Sequence, residues 1–194
     1  MLLGGLLALA SSPAAADEGW NLYATKLGVR YSRRSVPGSR FYEYLAVTTV
    51  PESPDVVLRT IWNGIIDAPP PTLKRRTVLL RTPSEIVVYD HVHAPVVTDR
   101  DVVLRIRQQR RGQIIDVTFE AASDVGPPPQ PGLVRLGAVR GAWKILPGAA
   151  GGTELSYRCY SEPGGSVPAF IARGVQQDQV ELDVGGILDR LRRR

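Results

Sequence analysis

The sequence predicts an α+β protein in which a curved antiparallel sheet wraps a long C-terminal helix and leaves a concave apolar interior. Three observations predict it. Period-2 alternation of apolar and polar residues marks several segments, most cleanly "DVVLRIRQQR" from Asp101 to Arg110. A helix with one apolar face follows the first aromatic strand. The chain then ends in a second, longer helical pattern. Successive strands joined by short turns pair antiparallel, and helices beside such a sheet collect on one face. The hollow between a curved sheet and its helix is where a hydrophobic ligand would go.

Each element has its own signal. "FYEYLAVTTV", Phe41 to Val50, is aromatic and β-branched and reads as a strand. Ser53 then stands as an N-cap, Pro54 at the first helical position and Asp55 at the positive end of the dipole. Val57, Leu58, Ile61, Trp62 and Ile65 give that helix its apolar face, and "DAPPP" at Asp67 to Pro71 stops it. Strands follow at Thr77 to Arg81 and Glu85 to His93. Val102, Leu104 and Ile106 share one face of the next strand, with Val103, Arg105 and Arg107 on the other. "RRGQ", Arg110 to Gln113, turns the chain into a strand from Ile114 to Ala121 that carries Ile115, Val117 and Phe119 on one face. A proline-rich loop, Asp124 to Gly132, cannot join a sheet. Strands at Val139 to Leu146 and Thr153 to Ser161 lead to the last helix. There Ser166 is a candidate N-cap, and Phe170, Ile171, Gly174 and Val175 form a stripe continued by Val184, Ile187, Leu188 and Leu191. Gly185-Gly186 is a point where this helix would bend or fray.

With 194 residues, 43% hydrophobic and 22% charged, the chain has the composition of one globular domain. Its net charge of +5 is spread over arginines along the whole sequence, a solvated basic surface rather than a nucleic-acid site. One cysteine, Cys159, excludes an internal disulfide and a Cys-rich zinc site. The apolar run Leu2 to Ala10 leads into Ala14-Ala15-Ala16, the pattern of a signal peptide covering residues 1–16, although no basic residue precedes the run. A mature domain of residues 17–194, periplasmic or secreted, is expected; without cleavage it would be cytoplasmic.

Both histidines, His91 and His93, sit two apart on one strand and share a face. A metal site needs a third ligand at fixed geometry, and the sequence offers none, so no metal or cofactor is expected. The apolar content of Ile86, Val88 and Val92 favours their face as the inward one. Asp90 would then need a buried partner.

Four segments taken together resemble the START (StAR-related lipid-transfer) domain of the helix-grip, or SRPBCC, superfamily: "PGSRFYEYLAVTTV", "HAPVVTDRDVVLRIR", "RGAWKILP" and "GGTELSYRCYSEPGGSVPAFIARG". The matching positions are Pro95, Thr98-Asp99-Arg100-Asp101, Gly141-x-Trp143, and Glu162-Pro163-Gly164-Gly165-x-x-Pro168, in that order. The resemblance spans Trp20 to the C-terminus. It implies a helix-grip fold with a deep cavity roofed by the last helix. The expected function is binding, and possible transport, of a lipid, sterol or other hydrophobic molecule without catalysis. The loop at Asp124 to Gly132 would help to gate that cavity. The Thr-Asp-Arg-Asp segment reads as a structural pin rather than a catalytic pair.

Cavity-lining residues are expected at Val88, Val102, Leu104 and Ile106 on two strands and at Val117 and Phe119 on the next. Trp143 and Tyr157 continue the wall, and Phe170 and Gly174 would close it from the helix. Arg105 and Arg107 point outward, so the wall should be largely apolar. The expected partner is a hydrophobic small molecule, with transient membrane contact, no nucleic acid, and a monomeric state. Two alternatives stay open: a polyketide cyclase/aromatase-like enzyme using His91 or Tyr157, and an interaction module with a collapsed cavity.

Overall fold

A computed structural model describes residues 19–94 and 97–193. The signal-like segment and Pro95 lie outside the described residues. The strands are β1 (Asn21–Lys26), β2 (Val29–Ser35), β3 (Tyr42–Val50), β4 (Leu73–Arg81), β5 (Glu85–Val92), β6 (Arg100–Arg111), β7 (Ile114–Ala121), β8 (Val134–Arg135), β9 (Val139–Pro147) and β10 (Thr153–Ser161). The helices are α1 (Pro54–Asp67) and α2 (Ala169–Arg192).

The strands form one sheet in the order β1-β2-β3-β10-β9-β7-β6-β5-β4, and β8 adds a short parallel pairing to β6. All the other pairings are antiparallel. α1 carries the chain from β3 to the far edge at β4. α2 packs across the inner face against β3, β10 and α1. Alternation along each strand fills the space between: Ile86 and Val88, Ile115 and Val117, Ile145, Leu155 and Tyr44 bury their side chains there with Val184, Ile187 and Leu188 of α2.

The hairpin of β1 and β2 was not anticipated. Its turn is Leu27-Gly28, with φ of 51° and 80°. A left-handed pair is what a tight hairpin needs, but leucine is a rare occupant of the first position and hides the signal. Ser53 does precede α1, yet its backbone carbonyl, not its hydroxyl, accepts the first N–H groups, from Val56 and Val57.

α2 departs from expectation in three ways. It starts directly after Pro168, so Ser166 does not cap it. It runs unbroken through Gly185-Gly186. Its buried stripe is Ala172, Val180, Val184, Ile187, Leu188 and Leu191, an i, i+4, i+7 series. Phe170 and Gly174 lie two residues either side of Ala172, about 200° around the axis, and are exposed.

Candidate ligand site

A recess of about 390 Å³ lies between α2, the turn after α1, and the strands β5, β6, β7, β9 and β10. Its sheet wall is Val102, Leu104 and Ile106 from β6, Val117 and Phe119 from β7, and Trp143 with Val139 from β9. Tyr157 of β10 completes it; its ring centroid lies 4.3 Å from Trp143 and 6.0 Å from Phe119. These rings form the apolar floor. Val88 is fully buried in the core and does not line the recess. Phe170 and Gly174 are not in its wall, for the helical-phase reason above.

The helix wall is polar, and the sequence reading missed it. Gln179, Asp183 and Arg190 reach the recess from α2. The Asp183 carboxylate accepts from the Tyr157 hydroxyl at 2.9 Å and from the Gln179 amide at 2.8 Å. Burial raises the Asp183 carboxyl above its ordinary range in spite of those two bonds. Burial and then the nearby Asp183 charge lift the Tyr157 phenol far above its usual value, and the same causes push the Cys159 thiol up to about 12. A carboxylate three residues beyond Val180, inside an apolar stripe, was the available signal for this group.

Asp90 has the partner its inward position demanded. Arg76 of β4 donates from Nε at 2.7 Å and from a terminal nitrogen to the other carboxylate oxygen, and also to the Ile65 carbonyl at the end of α1. Arg190 donates to the Ala68 carbonyl at 3.4 Å. Pro69, Pro70 and Pro71 line the recess here. They are the proline segment beside it, rather than the loop at Asp124 to Gly132. That second loop covers the opposite face of the sheet, where Gly126 comes close to Val103 and Leu79. Val103 is therefore buried although it points outward.

His91 and His93 also lie on the outer side. Both hold the Asp99 carboxylate, at 2.8 and 3.0 Å, and Lys74 adds a third contact at 2.7 Å. Among the described residues no cluster of three or more His, Cys, Asp or Glu is placed to hold a metal ion. The next motif residues are structural pins. Arg100 donates to the Pro163 carbonyl at 3.1 Å and so ties the Thr-Asp-Arg-Asp segment to the Glu-Pro-Gly-Gly turn before α2. Asp101 accepts two bonds from Arg135 and one from Tyr89. Gly141 lies under the Phe119 ring, where a Cβ would sit 2.3 Å from the ring and from the Arg158 carbonyl. That explains glycine two residues before Trp143.

No family model matches the sequence. An uncharacterized protein of Pseudomonas aeruginosa is 26% identical over 171 residues, 84% of this chain and 82% of its own length. A STAR-related lipid transfer protein from Xanthomonas axonopodis superposes with a TM-score of 0.79 at 26% identity, covering 90% of this chain and 99% of that one. The chain has the START-type helix-grip fold. Human StAR-related lipid transfer protein 5 shares this START fold at a TM-score of 0.74 and 15% identity, over 92% of this chain and 88% of that one. The Zhui aromatase/cyclase from Streptomyces sp. R1128 is a more distant neighbour, at 0.52 and 16% over 76% of this chain and 89% of its own.

Proposed function

We propose that the protein binds and carries one hydrophobic small molecule in this recess, without chemistry. The observation that carries the reading is the apolar stretch of sheet wall formed by Val102, Leu104, Ile106, Val117, Phe119 and Trp143, facing a recess of about 390 Å³. At roughly 30 Å³ per heavy atom, the volume of a liquid water, this holds on the order of a dozen heavy atoms. Each methylene buried there contributes about 0.8 kcal/mol. The polar residues of α2 orient the ligand. The lipid-transfer description of the Xanthomonas relative supports the same reading. Transient membrane contact for loading, export from the cytoplasm and a monomeric state belong to this proposal.

A second reading, a cyclase/aromatase-like enzyme, is favoured by one observation: Tyr157, Cys159 and Asp183 converge on the recess. All three are shifted toward their neutral forms. A phenol and a thiol held protonated make poor bases and nucleophiles near neutral pH, which favours binding over catalysis.

The test is titration of the delipidated full chain with radiolabelled fatty acids, sterols, phospholipids and a linear polyketide analogue, followed by extraction and mass analysis. Saturable one-to-one binding with the ligand returned unaltered supports carriage. A dehydrated, ring-closed product would move the assignment to the enzyme, and absence of any binding would overturn both.

A further inference from the structure

Four charged side chains line the recess: Arg76, Asp90, Asp183 and Arg190. Arg76 and Asp90 neutralise each other through paired contacts. Asp183 is already hydrogen-bonded by Tyr157 and Gln179. Arg190 differs from the rest. Among the described residues it has no carboxylate within ion-pair distance, its one hydrogen bond is to the Ala68 carbonyl, and its Nε is buried without an acceptor. Its guanidinium rests against Gly64, where a Cβ would come within 3.0 Å of it. Asp183 acts on it electrostatically from beyond ion-pair distance, but among the described residues no carboxylate touches it. A partly buried guanidinium without a contacting anion is costly, and an anion arriving beside it relieves that cost.

We propose that the recess is a site for a medium-chain amphipathic carboxylate, its acid group held by Arg190 at the α1 end of the recess and its chain laid along the apolar sheet wall. This deepens the carriage reading and rests on it. A guanidinium matches a carboxylate in geometry and holds it through charge-assisted hydrogen bonds. The volume of the recess suits a chain of about ten carbons, on the scale of roughly 30 Å³ per heavy atom.

The experiment compares decanoate with decan-1-ol by isothermal titration calorimetry on the full chain at neutral pH. The two probes share a chain and differ in the charged head. Wild type is expected to bind decanoate roughly ten-fold or more tighter, as befits a charge-assisted bond in a dry site. In Arg190→Met this ratio falls to near unity, and Arg190→Lys, which restores the charge, recovers part of it. Equal affinities in wild type, or a preference that survives Arg190→Met, would overturn the acid-group assignment and leave carriage standing. Failure of decanoate to bind wild type would likewise overturn the acid-group assignment, while carriage itself stands or falls on the ligand panel above. Equal affinities in wild type overturn the assignment without any variant, and Arg190→Lys keeps the test open where Arg190→Met folds poorly.

Discussion

Replacing Asp101 with leucine should cost more stability than removing Asp101 and its partner together. Asp101 is fully buried, and Arg135 is only 11% exposed. Arg135 donates to the two Asp101 oxygens at 3.0 and 2.8 Å and to the Pro127 carbonyl at 3.1 Å, while the Tyr89 hydroxyl donates to Asp101 at 3.0 Å. Asp101→Leu strands a buried guanidinium and a phenol, a loss of about 3–5 kcal/mol. That is a large share of the roughly 5–15 kcal/mol that holds a domain folded. The double variant Asp101→Leu/Arg135→Met removes both charges and leaves two neutral groups without their partner, the Tyr89 hydroxyl and the Pro127 carbonyl, a loss of about 1–3 kcal/mol. Burial pushes the Asp101 carboxyl up, but bonds from Arg135 and Tyr89 outweigh it and hold the group below its ordinary value. Its contribution is therefore fully present above the unfolded value of about 3.9 and fades as pH falls through the folded one. Urea unfolding followed by tryptophan fluorescence reads all of this. The reasoning fails if Asp101→Leu costs under about 1 kcal/mol, or if the double variant loses as much as the two single variants summed.

Three further outcomes are expected. Gly141→Ala should destabilise by about 1–3 kcal/mol, because its Cβ must displace Phe119 and the Arg158 carbonyl; thermal unfolding checks it. Lys74, the Ala94 N–H and the two histidines hold the Asp99 carboxyl well below the usual carboxylate range. The melting-temperature gap between wild type and Asp99→Asn should thus persist at neutral pH and close as the solution is taken strongly acidic; a gap that widens in acid would contradict the sign. Cys159, raised to about 12 by burial and Asp183, should resist Ellman's reagent in the native protein at pH 8 and react promptly in urea. Fast native labelling would show that the recess is wetter than described.

β3 to β7, β9, β10 and both helices were legible because alternation and helical spacing follow directly from burial on one face. β6 is the clearest case: Val102, Leu104 and Ile106 face the recess as its pattern requires. The hairpin of β1 and β2 was hidden by a leucine in a left-handed turn. Phe170 and Gly174 were misplaced because a stripe read from residue 170 is out of phase with a helix whose buried face begins at Ala172. The apolar half of the site could be read strand by strand. Its polar half was harder to read, since Gln179, Asp183 and Arg190 lie on α2 and Arg76 on β4, and their meeting at the recess depends on how α2 lies across the sheet. The gating role expected of the loop at Asp124 to Gly132 failed for the same reason: its composition marks a loop but not the face it covers.

The central claim is that the recess holds a hydrophobic molecule. Gly186 lines it, and a Cβ there would meet no atom within 4 Å. Gly186→Phe should therefore fill the recess while the helix keeps or gains stability, since glycine is the weaker helix former by about 1 kcal/mol. The most direct measurement is native mass spectrometry of both proteins purified from a lipid-containing host, with organic extraction of what they carry. Wild type is predicted to retain one apolar molecule per chain and Gly186→Phe to be empty. An empty wild type, or equal cargo in the two proteins, would contradict the account.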